Sequence, residues 1–175
     1  MIVILTGGVG SGKTAFLTGL LKVLRSRSLP LDGFVAERVF HDRRLTGYDL
    51  AAVRDGRRFP FLRRGERTGG ATIGPWLSAA SGLAAAAEII RASDPGAILV
   101  IDELGPLELE GRGHWPALAA VLDQPGRRFL FVIREGCLIR FIRLFEGRAV
   151  KIHPVRAKMD GGAIVEELAS DGRND

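Results

Sequence analysis

The sequence predicts a three-layer α/β fold with a mostly parallel sheet and an antiparallel β-hairpin excursion, and three observations carry that prediction. The N-terminal run Met1-Ile-Val-Ile-Leu-Thr6 has the pattern of a buried strand and enters Gly7-Gly-Val-Gly-Ser-Gly-Lys-Thr14, which fills every fixed position of G-x-x-x-x-G-K-[ST]. Runs of strand type alternate with runs of helical period along the rest of the chain, the pattern of parallel strands joined by right-handed crossovers. Asp55-Gly56 stands between two further strand patterns and marks a tight hairpin.

After the glycine-rich turn, Phe16, Leu17, Leu20, Leu21, Val23 and Leu24 form a broad apolar stripe with Lys22 and Arg25 outside it, so a helix follows and stops near Pro30. Asp32-Gly33 turns into a second strand, Phe34 to Phe40, which ends in a polar turn from His41 to Arg44. Thr46 to Val53 and Arg58 to Arg63 are the arms of the hairpin, and Pro60 predicts that the second arm is an edge strand. Gly69 to Trp76 reads as irregular, and Ser81 as the N-cap of an alanine-rich helix ending near Arg91 and closed by Ser93-Asp-Pro-Gly96. Ala97 to Ile101 is a buried strand, Trp115 to Leu122 a short helix and Arg128 to Arg134 a strand. Cys137 to Phe145 is a helix, Ala149 to His153 a strand and Gly161 to Ala169 a last helix, before a charged tail expected to fray.

Length and composition bound the rest. At 175 residues the chain is read as a single domain over 1–175, long enough to bury a core. Cys137, the lone cysteine, has no partner for an internal disulfide, and neither zinc-ligand spacing nor a signal-peptide pattern is present. The most apolar long segment, Leu77 to Ile90, is too short to span a bilayer. A cytoplasmic protein with no membrane partner is expected. Between Arg25 and Arg67, eleven arginines meet six acidic residues, so that stretch holds the whole net charge of +5. Such a surface either attracts polyanions or is a solvated face with ordinary salt bridges. Without a stacking motif or a nucleic-acid module the second is favoured, and no sequence-specific nucleic-acid site is expected.

The chemistry lies at two places. In the first, Gly7, Gly8, Val9, Gly10, Ser11, Gly12, Lys13 and Thr14 form a phosphate-binding loop, whose glycines let backbone N–H groups converge on an oligophosphate at a helix N-terminus. Lys13 supplies a point charge for the β- and γ-phosphates, and the Thr14 hydroxyl a ligand for Mg²⁺. The second is Asp102-Glu103 at the end of a buried strand, with Asp102 placed for the metal and Glu103 to orient or deprotonate an attacking water. Phosphate loop and acidic pair both fall at strand carboxyl ends, where sheets of this kind bind ligands. Three readings follow: a nucleoside-triphosphatase, favoured by Glu103; a small kinase using the same cradle; and a nucleotide-dependent switch or adaptor. Among isolated residues, His41, His114 and His153 read as surface or loop positions, Cys137 as packing, and Tyr48 and Trp76 as aromatics that either stack on a base or fill a core.

The run Asp102-Glu-Leu-Gly-Pro-Leu-Glu108 resembles the D-E-[IL]-G-x-[ML]-E signature of the small RecA-like P-loop nucleoside-triphosphatases known as the thermostable, or cancer-related, nucleoside-triphosphatase family. Gly33-Phe34 with Glu37 resembles the family's G-F-x-x-E strand, and Gly47-Tyr-Asp-Leu50 its G-[FY]-D-[VL]; the likeness runs from residue 1 to about 145. It implies a Mg²⁺-dependent phosphohydrolase that converts nucleoside triphosphates, ATP and GTP among them, to diphosphates. Gly7 through Thr14 would be the cradle, and Asp102 and Glu103 the metal and water residues; Glu108 receives no role. Where the family often has a histidine before a basic residue, this chain reads Val132-Ile-Arg-Glu135. The resemblance also implies that the Arg128 to Arg134 strand lies between the loop strand and the Asp102 strand. Arg134 then either senses the γ-phosphate or forms an ion pair with Glu103 or Glu135, with Arg140 and Arg143 as reserves.

Overall fold

The computed structural model of the protein describes residues 1–64, 69–73, 75–156 and 159–170. Its centre is a parallel array. β1 (Ile2–Gly7) pairs on one side with β8 (Arg128–Arg134) and on the other with β9 (Val150–Pro154). β8 pairs in turn with β7 (Ile98–Leu104), and β7 with β2 (Leu31–His41), all in parallel. The strand carrying Arg134 therefore lies between the loop strand and the Asp102 strand, as the resemblance implies.

β2 is also the first strand of an antiparallel half that is larger than a hairpin excursion. It pairs with β3 (Arg44–Ala52), β3 with β4 (Arg58–Arg64), β4 with β6 (Trp76–Ala79) and β6 with β5 (Gly69–Ile73). Among the described residues this makes one nine-stranded sheet in the order β5-β6-β4-β3-β2-β7-β8-β1-β9. The polar turn after β2 holds Asp42 and Arg43 at φ 48° and 61°, the left-handed pair that a tight hairpin requires. The turn at Asp55-Gly56 is longer than the two-residue form, because β3 ends at Ala52 and β4 begins at Arg58.

Two sequence expectations are corrected in this half. Pro60 does not lie on an edge strand, since β4 is flanked by β3 and β6. It is tolerated because β6 pairs only from Leu62 onward and the β3 register slips between Tyr48 and Asp49, so the missing N–H costs no ladder bond to β6. The segment expected to be irregular supplies β5 and β6. Its glycines hid the strand pattern, which is completed by pairing with β4 rather than by local propensity.

Helices cover both faces. On one, α1 (Lys13–Ser26) and α6 (Gly162–Ala169) bury Leu17, Leu20, Leu24, Ile164 and Leu168 against Val3, Leu5, Val100 and Val132. On the other, α2 (Ala80–Arg91), α4 (Trp115–Leu122) and α5 (Leu138–Leu144) pack on Ile4, Phe34, Ile101, Phe129 and Phe131. Each fully buried Leu or Phe contributes about 1.5–3 kcal/mol. The two-sided burial is why β1, β7 and β8 read as unbroken apolar runs. α2 starts one residue before Ser81, with Ala79 at the cap position and no side-chain cap, because β6 leads into it directly. The tail expected to fray, 171–175, and Glu66 and Arg67 of the basic stretch lie outside the described residues.

Candidate active site

β1 stops at Gly7 because the chain must turn there. Gly10 and Gly12 have φ 78° and 87°, and a Cβ on Gly7 would lie 2.7 Å from Ser11 Oγ. Gly12 in the left-handed conformation caps α1, which begins at Lys13. Residues 8–12 form the exposed rim, while Lys13 is buried beneath it and its Nζ donates to the carbonyls of Gly7 and Gly8 at 3.0 and 2.9 Å. The loop is thus closed on its own lysine, which keeps the ammonium at the root of the cradle.

Asp102 and Glu103 leave the end of β7 toward opposite sides. Asp102 continues the row of Ile98 and Val100 that packs toward α1, is 1% exposed, and accepts hydrogen bonds from the Thr14 hydroxyl and the Ala36 N–H. Burial, reinforced by the neighbouring Glu103 charge, raises its pKa to about 7, against the pull of Thr14, Ala36 and Lys13. Glu103 is an extra residue in the ladder. Asp102 pairs with Val132 and Leu104 already with Ile133, a bulge that returns Leu104 to the face of Leu99 and Ile101 and leaves Glu103 unpaired at the strand end.

Arg134 joins the two places. It stands in register with Gly7 across β1 and β8, and its Nε donates to Glu103 Oε1 at 2.9 Å. Of the pairings weighed from the sequence, the one with Glu103 is present. Arg140 and Arg143 are exposed on α5 and, among the described residues, make no hydrogen bond or ion pair with these groups.

Behind this pair the chain turns through Gly105 into the short helix α3 (Pro106–Leu109). Glu108 holds that turn from inside. Its carboxylate accepts the N–H of Gly105 at 2.9 Å and of His114 at 3.1 Å, and burial pushes its pKa up. A Cβ at Gly113, where φ is 60°, would overlap Glu108 Oε1.

The sequence profile described as NTPase matches residues 2–166. The chain belongs to the NTPase family. It is 30% identical over 159 residues to nucleoside-triphosphatase THEP1 of Thermofilum pendens, covering 87% of this chain and 85% of that one. It is 33% identical over 141 residues to the human cancer-related nucleoside-triphosphatase, covering 75% and 74%. The solution structure of a human cancer-related nucleoside triphosphatase superposes with a TM-score of 0.73 at 29% identity, over 95% of this chain and 94% of that one.

Within this NTPase chain the residues singled out from sequence converge: Lys13, Thr14 and Asp102 on the α1 side, Glu103 and Arg134 at the strand ends beside them. Two further residues at the site emerge only in part from sequence. Glu108 received no role from the sequence, and the signal that could have found it is the Gly105-Pro-Leu-Glu108 spacing of an N-cap followed by Glu at the third helical position. His114 gave no such signal. Expected as a surface or loop residue, it is 2% exposed, with its ring 4.9 Å from Phe34 and 5.4 Å from Phe61, and burial lowers its pKa to about 4. Its Nδ1 is buried without a hydrogen-bond partner among the described residues. His41 is exposed, whereas His153 lies in β9 against Glu167 at 2.8 Å. Cys137 is buried, and that burial raises its thiol pKa, in keeping with packing. Tyr48 and Trp76 pack edge-to-face on one another, with centroids 5.3 Å apart.

Proposed function

We propose that the chain is a Mg²⁺-dependent nucleoside-triphosphatase that hydrolyses ATP, GTP and other nucleoside triphosphates to the diphosphate and phosphate. The observation that carries this reading is the register of Arg134 with Gly7 together with its bond to Glu103, which sets a carboxylate and a guanidinium beside the mouth of the phosphate loop. In this reading the loop N–H groups and Lys13 bind the triphosphate. Glu103, held by Arg134, orients a water in line with the γ-phosphorus and takes its proton as the water oxygen bonds to phosphorus. The bond from phosphorus to the β–γ bridging oxygen breaks, and the Arg134 guanidinium faces the charge developing on the phosphoryl oxygens.

The donors fit Mg²⁺. Thr14 and Asp102 offer hard oxygens, and Asp102 is a desolvated carboxylate whose raised pKa a cation would reverse. Mg²⁺ needs only one or two protein ligands, because water and phosphate oxygens complete its shell. When bound, it neutralises phosphate charge; the proton and water are handled by the protein. No described helix is long and apolar enough to cross a membrane, and a cytoplasmic setting is part of the proposal.

Phosphate release from a panel of nucleoside triphosphates, with and without Mg²⁺, tests the reading. Release requiring Mg²⁺ is expected for several bases, with binding and turnover both weakened in Lys13→Ala and the Mg²⁺ requirement raised in Thr14→Ala. Unchanged turnover in Lys13→Ala sinks it.

A further inference from the structure

On the face of the sheet away from α1, Glu103 forms one wall of a cavity of about 130 Å³. Tyr48 and Trp76 from the antiparallel half line it as well, with Phe61, Leu62 and Leu107 completing apolar walls. The cavity is well below the about 300–1,000 Å³ of sites for drug-sized ligands, so it takes one ring rather than a nucleotide. Glu108 and His114 also line it, the first committed to the N–H groups of Gly105 and His114, and its remaining polar edge is the Arg134–Glu103 pair. That pair is joined by the single Nε to Oε1 bond, and among the described residues the Arg134 Nη donors and Glu103 Oε2 make no other hydrogen bond. Donor and acceptor side by side complement a ring edge bearing N–H next to C=O, whereas an aliphatic group would leave both unpaired. Two half-buried aromatic rings supply the apolar contact that a planar heterocycle uses.

We propose that this cavity is a second ligand site, for a single planar heteroaromatic ring with a lactam edge, and that its occupant displaces water from Glu103 and slows hydrolysis. The second clause rests on the proposed triphosphatase reading; the first does not.

The test uses the full chain carrying Trp115→Phe, in which Trp76 is the sole tryptophan. Uracil should quench its fluorescence saturably without nucleotide. 1,3-Dimethyluracil, which has the same ring without N–H donors, should bind roughly tenfold or more weakly, the cost of leaving a hydrogen-bonding group unpaired. Leu62→Phe, which fills the cavity, and Tyr48→Ala, which removes a wall, should each weaken uracil by a similar factor in folded protein. Uracil should also lower kcat for ATP without raising KM. Absence of saturable quenching, equal affinity for the two pyrimidines, or unchanged binding in both variants overturns the site. A rise in KM alone overturns the water-displacement role, because it marks competition at the phosphate loop. Failure of the protein to hydrolyse ATP at all counts against the triphosphatase reading only, since the titration needs no turnover.

Discussion

Arg134 is held by three separate constraints: the β1–β8 register that sets it beside Gly7, its bond to Glu103 at the β7 bulge, and the turn braced by Glu108. Glu103→Gln should retain nucleotide affinity while kcat falls roughly 10²- to 10⁴-fold, the range for a positioned general base. Arg134→Ala should lower kcat more than affinity, and Arg134→Lys should recover only part because the planar fork is lost. A wild-type rate in folded Arg134→Ala would leave a purely structural ion pair and direct attention to Arg140 and Arg143. His114 carries a different prediction. Its pKa is about 4 in the folded chain against about 6.5 unfolded, so between those values the unfolded state binds more protons and stability falls as pH drops. Glu108 and Asp102, whose pKa values are raised, act with the opposite sign. The informative quantity is therefore the difference between wild type and His114→Phe. Between pH 7 and pH 4 urea unfolding should show the variant gaining about 3 kcal/mol relative to wild type; parallel pH dependences would refute a buried neutral imidazole.

At the scale of elements, β2 is where the parallel and antiparallel halves meet, and Gly33 makes that junction possible. It has φ 97°, and a Cβ there would overlap the Val100 carbonyl of β7. Gly33→Ala should cost about 2 kcal/mol or more, read as a lower urea midpoint with little change in slope; an unaltered midpoint would show that the two strands part easily. Most elements were legible because their signals are local: the loop fills a fixed spacing, α1 has a helical stripe, and β7 and β8 are short apolar runs. β5, β6 and the start of α2 escaped because their order comes from neighbours. The same is true of Pro60, whose tolerance depends on where β6 stops pairing.

Across the whole molecule, six of the eleven arginines between Arg25 and Arg67 are held by partners among the described residues. Arg54 pairs with Asp32, Arg58 with Glu37, Arg63 with Asp49, Arg57 with Asp55 and Arg27 with Glu166, while Arg25 donates to the Val53 carbonyl. Any association with a DNA oligonucleotide should therefore be non-specific and fall steeply between about 50 and 200 mM salt. Fluorescence anisotropy that remained high and sequence-dependent at the upper salt, and fell in an Arg57→Ala, Arg58→Ala double variant, would reveal a real site. By itself the sequence determined the phosphate loop, the acidic pair at a strand end and the alternation of strands and helices. Those features are written in contiguous residues, since one oligophosphate is gripped by successive N–H groups and periodicity is a property of neighbours along the chain. Resemblance to a family added the order of the central strands. Only the tertiary structure decided that Arg134 reaches Glu103, that Glu108 closes a turn onto His114, that His114 is buried against Phe34 and Phe61, and that Tyr48 and Trp76 line one cavity with Glu103. Each of these depends on side chains from elements far apart in sequence, brought together by burial of apolar surface on both faces of one sheet.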